Sequence, residues 1–555
     1  VGGKCRGLAF LNSILSDSNL SGKVPEALIQ IPKTAVIGVD EFIHFMESNK
    51  LTRIVHEVRD YEVIKRQFLM GSLSPDLRDR LKKYLTKVTY PLAVRSSGIL
   101  EDSVSHPLSG LYQTFFLPNR HPDLEIRVRQ LEEAIKLIYA SVYSSTAKDF
   151  FEAINYKIEE ERMAVIIQQV VGNAYGERFY PHLSGVAQSY NFYPFSYVKP
   201  EDGAGMIALG LGKYVVGGEQ AHRFCPAFPQ IDLETPEDQI RNSQKHFYAI
   251  DLSKNPIDLF NGEEVTLLSL DLQQAEADGT MQYSASVYNY PDQRMEPGLH
   301  RPGPRILNFP HILKYDAFPL PQILREVLDV AKVAMDTPVE IEFAVNLEDS
   351  NTKSPTFYLL QVKHLLRDQK EATLNVDKVK DEEVLLYTQK GMGNGAVDDV
   401  TDIVWVDPEC FDKSKTMEMA KEIEALNLSA KKDQRKFFLL GPGRWGTRDR
   451  WLGIPVTWPQ ISQAKIIVEY SLADFQIDAS LGSHFFHNVI SMNIGYFSVP
   501  FDCPPNRIDW EWVKNLPVVS RGKHVVHSRF STPLKAIMDG HQRVSVIFKG
   551  TPSTC

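Results

Sequence analysis

The sequence predicts an α/β (α+β) chain with a large first region followed by a smaller α/β domain. Three observations carry the prediction. Amphipathic stretches with apolar spacing near 3.6, such as LEIRVRQLEEAIKLIYASVY, read as helices. Short continuous apolar runs, such as MAVIIQQVV and VEIEFAV, read as buried strands. A polar stretch, DQKEATLNVDKVKDEEVL, then the glycine-rich GMGNGAV, marks a boundary near residues 364–395.

The elements follow in order. KCRGLAFLNSIL reads as a helix, and KTAVIGV as a short strand running into the helix EFIHFMESN. PDLRDRLKKYLTKV is a helix and PLAVRSS a strand. Residues 124–160 hold two amphipathic helical patterns, the second being TAKDFFEAINYKIEEERM. MAVIIQQVV returns to strand. Residues 176–245, rich in Gly, Tyr and Phe, read as sheet and loops. ILNFPHILKYDAFPLPQILREVLDVAKVAM leads from loop into helix, and VEIEFAVNL and TFYLLQVKHL close the region as a strand pair. Beyond the boundary DIVWV, MAKEIEALNLS, KFFLLGP, AKIIVEY and HFFHNVISM alternate strand and helix. The expected division is 1–175 and 176–370 as two subdomains, 371–395 as a linker, and 396–555 as the smaller α/β domain.

Composition narrows the function classes. The 555 residues suggest about three to five domains at roughly 100–200 residues each. A net charge of -9 argues against a nonspecific nucleic-acid binder. The five cysteines are scattered without a C-x-x-C, against a disulfide scaffold or a cysteine-rich zinc site. No run of about 18 apolar residues is present, so no membrane span is expected. No secretory signal is visible, and the expectation is a cytoplasmic protein. The chain opens inside an apparent element, so a further N-terminal segment is expected upstream.

Glu340 and Glu342 are the most informative pair. Residues two apart on a strand share a face, so both carboxylates point into one site. Apolar neighbours make such a pair costly unless a positive charge lies between them. With Gln361 on the following strand, they form a set of hard oxygen donors suited to Mg²⁺. Ion pairing to a nearby Lys or Arg is the other reading of the same residues.

Other motifs point to phosphate. Gly2 and Gly3 precede Lys4, which reads either as a phosphate contact or as a tight turn. Arg95 ends a strand and is followed by Ser96 and Ser97, a group able to hold phosphate oxygens; pairing of Arg95 with Glu101 or Asp102 is the alternative. Gly110 would allow a close backbone turn. Gln168 and Gln169 stand at the end of an apolar strand, where backbone groups can read an adenine edge; an edge-strand amide pair is the alternative, and taken by itself the favoured one. Gly212 and Lys213 lie in LGLGKYVVGG, which suits either a close ligand approach or an ordinary turn.

In this order the motifs GGKCRGLAF, PLAVRSSGILEDS, SGLYQTFF, the Gln168–Gln169 strand, LGLGKYVVGG, IEFAV and YLLQV resemble the nucleotide-binding region of the phosphoenolpyruvate synthase and pyruvate phosphate dikinase family, an ATP-grasp fold. The resemblance covers roughly residues 1–365. It implies that Lys4 and Arg95 contact ATP phosphates, and that Glu340, Glu342 and Gln361 help to hold Mg-ATP. Family members often carry Asp where Glu340 stands. The family passes phosphate from ATP to a histidine on a swivelling domain and then to an acceptor.

The second region departs from that pattern. The family's T-S-H-A-A or T-C-H-A-A motif is missing; GSHFFHNVISM echoes it, with Phe485 and Phe486 where small alanines belong. His484 is the candidate phosphocarrier, since an unprotonated imidazole nitrogen accepts phosphate near neutral pH. Packing inside the fold is the alternative for His484 and His487. GPGRWGTRDRWLGIP places Arg444 on a glycine-rich turn, either an anion site or a structural loop. His524 and His527, three apart in a strand-like run, face opposite sides and share no metal. The residues after 395 are too few for both a carrier domain and a (β/α)₈ barrel of about 250 residues. Three functions follow: an ATP-dependent phosphotransferase with an unknown small-molecule or protein acceptor, an ATP-binding regulatory or scaffold protein, or an ATP-grasp ligase working through an acyl phosphate.

Overall fold

The computed structural model describes residues 2–17, 20–101, 110–153, 156–191, 198–232, 236, 239–240, 243–348, 352, 354–365, 374, 379–392, 395–447, 449–476, 485, 489, 494–539, 542 and 544–550. The chain divides into two compact units. The first comprises residues 1–216 and 220–365, and the second residues 217–219 and 366–555. No described helix is long and apolar enough to cross a membrane.

Two sheets of the first unit matter for the site. One has the strand order Leu28–Gln30, Thr356–His364, Val339–Asn346, Leu183–Gln188, Ala204–Ala208 and His222–Phe224. The other runs Thr34–Ile37, Met163–Gln169, Leu92–Gly98 and Thr114–Leu117. Val339–Asn346 is buried at every residue, because strands flank it on both edges and side chains cover both faces.

Helix Leu320–Met335 packs on this sheet. Its buried residues Leu320, Ile323, Leu324, Val327, Leu328 and Ala331 recur at the spacing of one helical face. Each aliphatic side chain so removed from water contributes about 1.5–3 kcal/mol. Asp336, in the left-handed conformation at φ 51°, ends the helix directly before the glutamate strand. Helix Leu124–Ser141 starts at Asp123, whose side chain accepts the Glu125 N–H. The second helical pattern is shorter than its sequence period suggests. It spans Ser145–Ala153, and the Tyr156 N–H turns back to the Phe151 carbonyl.

In the second unit the strands Gly395–Val406, Phe437–Pro442, Ala464–Tyr470 and Gly495–Val499 lie parallel in succession. The long strand Val525–Asp539 pairs antiparallel with the first of these. Val384–Thr388, within the stretch expected as a linker, is a buried strand of the same sheet. Trp405, Phe438, Leu440, Ile466, Val468 and Phe497 form the core on one face. Helix Thr416–Lys432 packs against Val525–Asp539 through the sheet's other face, where Val525 and His527 lie.

Gly185 shows how tightly the first sheet is closed. A Cβ there would stand 2.3 Å from the Met206 carbonyl oxygen and 2.6 Å from the Phe343 ring. Gly185→Ala is therefore expected to destabilise the first unit by about 1–3 kcal/mol in urea denaturation; an unchanged midpoint would contradict this packing.

Candidate functional site

The site grows from one strand pair. Val339–Asn346 and Thr356–His364 run antiparallel, with Glu340 opposite Lys363 and Glu342 opposite Gln361. Directly opposed residues share a face. The ladder shifts between Glu342 and Phe343, so Leu360 has no partner in it. This bulge sits at the edge of the polar cluster, where such irregularities re-aim side chains.

Both glutamates are buried. Lys363 Nζ donates to Glu342 Oε1 at 2.6 Å and lies 3.6 Å from Glu340 Oε1. Gln188, opposite Glu340 on the other neighbouring strand, donates its Nε2 to Glu340 Oε2 at 2.7 Å. Burial pushes the Glu340 carboxyl above its ordinary range, and Lys363 then Gln188 oppose that rise. The Gln188 Oε1 is buried without a hydrogen-bond partner among the described residues.

Arg95 joins this cluster from the second sheet. It is the one half-buried residue in the otherwise buried strand Leu92–Gly98. Its Nη2 donates to Gln361 Oε1 at 2.7 Å and lies 3.4 Å from Glu342 Oε2. Its Nη1 donates to Gln168 Oε1 at 3.4 Å, and Gln168 in turn donates to Thr34 Oγ1. The structure thus brings together Arg95, Gln168, Glu340, Glu342 and Gln361. Of the two readings for Arg95, pairing with Glu101 is not what forms.

Glu101 instead pairs with Lys4. Lys4 Nζ donates to Glu101 Oε1 at 2.8 Å, and both residues are buried. Ser96 Oγ and the Gly98 N–H also donate to Glu101. Gly2 is needed for contact with protein: a Cβ there would lie 1.7 Å from the Ser97 carbonyl oxygen. Glu161 completes this second cluster. It accepts the Ile99 N–H at 2.7 Å, while its Oε2 is buried without a hydrogen-bond partner among the described residues. Burial, then the neighbouring Glu101 charge, raises the Glu161 carboxyl to about 7.

The remaining expected residues are spread out. Gln169 ends its strand half-buried, its N–H donated to the Lys33 carbonyl. Gly212 precedes the short helix Lys213–Val216 and accepts the Val216 N–H. Lys213 Nζ lies 2.9 Å from Glu264 Oε1 and 3.9 Å from Glu263 Oε1. Glu263 also accepts the N–H of Thr114, the strand partner of Arg95. Gly110 takes a positive φ of 71°, the turn conformation its motif predicts. In the second unit Arg444 is buried, and its Nη1 donates to the carbonyls of Gly218 and Glu219. His484, His487 and Arg448 lie outside the described residues.

Lys363, Gln188 and Glu161 were not singled out from the sequence, and Glu101 was named only as a candidate partner of Arg95. Lys363 carried a signal, since it follows Gln361 by two residues and so shares its face. Two carboxylates, the Gln361 amide oxygen and the Gln188 Oε1 are hard oxygen atoms of the kind a divalent cation takes, but Glu340, Glu342 and Gln361 are engaged by Lys363, Gln188 and Arg95, the ion-pair alternative. Lys363 shows that a positive charge is already accommodated between the carboxylates. Among the described residues no group of three or more His, Cys, Asp or Glu is placed to hold a metal.

Fold and site define a class: a mixed α/β protein with a nucleotide-binding region and a smaller mixed unit. The family model for the pyruvate phosphate dikinase AMP/ATP-binding domain matches residues 1–384, and the chain belongs to that family. It is also similar to a phosphoenolpyruvate synthase of Aeropyrum pernix, at 26% identity over 280 residues, which is 46% of this chain and 30% of that protein. The chain therefore spans under a third of the length of that relative.

Two stability predictions follow from these charges. Lys363→Met leaves two buried carboxylates without their shared cation, and is expected to cost about 3–5 kcal/mol in denaturant unfolding; a loss under about 1 kcal/mol would contradict the pairing. Glu161 acts in the opposite sense. With a folded value of about 7 against an ordinary 4.5, it destabilises the fold as pH rises from 4.5 through 7. Glu161→Gln should therefore raise stability at pH 8 by up to about 3 kcal/mol and leave it nearly unchanged at pH 4.5. An equal effect at both pH values would show that ionisation is not the cause.

Proposed function

We propose that this chain binds Mg-ATP through its first unit and is the nucleotide-binding part of an ATP-dependent phosphotransferase of the dikinase type. The observation that carries the reading is the convergence of Arg95, Gln168, Gln361 and the Glu340–Glu342 pair, on a chain whose family is an AMP/ATP-binding domain. Arg95 presents a planar guanidinium able to hold phosphate oxygens by two N–H groups. Lys363 supplies a second cation on the same face. Gln168 orients Arg95 from the strand whose end, at Gln169, offers backbone groups to an adenine edge. Gly212 and Lys213 lie at the margin of the same region, where Lys213 adds a further positive charge; Lys4 is the cation of the adjoining cluster.

Glu340, Glu342 and Gln361 would hold Mg²⁺, which supplies neutralisation of phosphate charge during transfer. Their own contribution is to keep buried negative charge at a fixed place. Sheet pairing on both sides of the glutamate strand makes that place rigid. For the second unit the proposal is a carrier role related to the swivelling phosphohistidine domain, with His484 as phosphate acceptor, Arg444 on the supporting loop, and an acceptor substrate still to be identified.

Arg95→Ala is expected to weaken Mg-ATP binding by about tenfold or more in calorimetry, the loss of charge-assisted hydrogen bonds worth about 1.5–3 kcal/mol. Replacing both Glu340 and Glu342 by Gln should remove the Mg²⁺ dependence of nucleotide binding. Unaltered affinity in both variants would refute the nucleotide reading. Transfer is tested separately, by incubating the chain with γ-labelled ATP. Acid-labile label lost in His484→Asn supports the carrier role, and unlabelled protein that still binds ATP would reject transfer alone.

A further inference from the structure

We infer that the second unit carries an oxyanion-binding site of the phosphate class, built on Asp402. Asp402 is buried on the strand Gly395–Val406, and its carboxylate is saturated by protein donors. His527 Nε2 lies 2.6 Å from its Oδ1, which also accepts Arg529 Nε at 2.9 Å and Nη2 at 2.8 Å. Arg435 Nη1 at 3.0 Å and Thr401 Oγ1 at 2.8 Å donate to its Oδ2. These donors hold the carboxyl well below the usual range, His527 first and Arg529 next, against the opposing effect of burial.

The charges do not balance. One carboxylate faces two guanidiniums and an imidazole, so at least one positive charge remains over. Asp402 is the single carboxylate in ion-pair contact with either arginine among the described residues. The exposed carboxylates on the same strand, Asp398 and Asp399, pair with neither.

The donors left over face water. Asp402 takes Nε2 of His527, one edge of Arg529 and one nitrogen of Arg435. His527 Nδ1, Arg529 Nη1 and Arg435 Nε and Nη2 have no protein partner among the described residues, and none is a buried orphan. The side chains are 15%, 35% and 41% exposed for His527, Arg529 and Arg435. All three are held by the same carboxylate, His527 and Arg529 through Oδ1 and Arg435 through Oδ2, and His527 and Arg529, two apart on one strand, share a face. Guanidinium edges with fixed orientation, surplus positive charge and an adjacent imidazole are the chemistry that recognises a phosphate oxyanion. Asp402 positions these groups and is not itself available to a ligand.

The test is calorimetric titration of the full chain with inorganic phosphate and, separately, with phenyl phosphate as a monoester. Saturable binding is expected, and Arg435→Gln should weaken it by about tenfold, the loss of one charge-assisted contact. Arg435 is the most exposed of the three, and Arg529 and His527 still satisfy Asp402 in that variant. His527→Gln is the second variant and should weaken binding by a smaller factor, with thermal melting close to wild type. Arg95→Ala should leave this binding intact, which separates it from phosphate held by the nucleotide region. Preference for the monoester identifies a phosphate carried on a larger molecule, and preference for the inorganic ion a free one; both support the site. No saturable binding, unchanged affinity in Arg435→Gln and His527→Gln, or binding lost only in Arg95→Ala would overturn it.

Discussion

Two buried carboxylates and the ammonium between them constrain the strand pair on which the site of the first unit stands. Glu340 and Glu342 stand two apart on a strand enclosed on both edges, so neither can turn to water. Desolvating such charges costs several kcal/mol each unless a cation lies against them. The antiparallel register meets this need by placing Lys363 opposite Glu340 and within 2.6 Å of Glu342. Gln188, on the other flank, satisfies the remaining Glu340 oxygen. A slip of one residue would send Lys363 to the opposite face and leave the acids uncompensated. The charges therefore fix register as much as they prepare a site.

Arg95 ties the second sheet to this arrangement, since its guanidinium bonds Gln361 and Gln168 together. Further along the same strand the balance is different. Lys4 neutralises Glu101, but Glu161 beside them is buried with one oxygen unpartnered among the described residues. Protonation is the remaining way to lower its cost, which is why its carboxyl rises. One strand thus joins a compensated acidic site to an under-compensated one.

The parts legible in the sequence are those that local period controls. Alternation by two places Glu340 with Glu342, and apolar runs identify the strands that bear Gln168, Arg95 and Gln361. Lys363 follows the same alternation but stands outside the motif that draws attention. Partners distant in sequence are not legible. Nothing near Lys4 announces Glu101, and nothing in GPGRWG shows that Arg444 is buried against the Gly218 and Glu219 carbonyls. Val384–Thr388 reads poorly because three acidic residues precede it, although each of its residues is buried in the sheet. Paired glycines mark close approach, but they do not say to what; at Gly2 the neighbour is the Ser97 backbone.

The second unit has to be understood from its own residues, because the family match ends at residue 384. Two arginine environments there contrast. Arg444 is buried, with backbone carbonyls as acceptors. Arg435 and Arg529 keep nitrogens in water while Asp402 holds them at fixed angles. Position explains the difference. Asp402 enters the sheet where the strand Phe437–Pro442 begins, beside the end of the helix Thr416–Lys432, whose last turn carries Lys431 and Lys432. A helix C-terminus tolerates added cations, since its carbonyls carry partial negative charge. One buried carboxylate there organises two guanidiniums, and so more positive charge than it can neutralise.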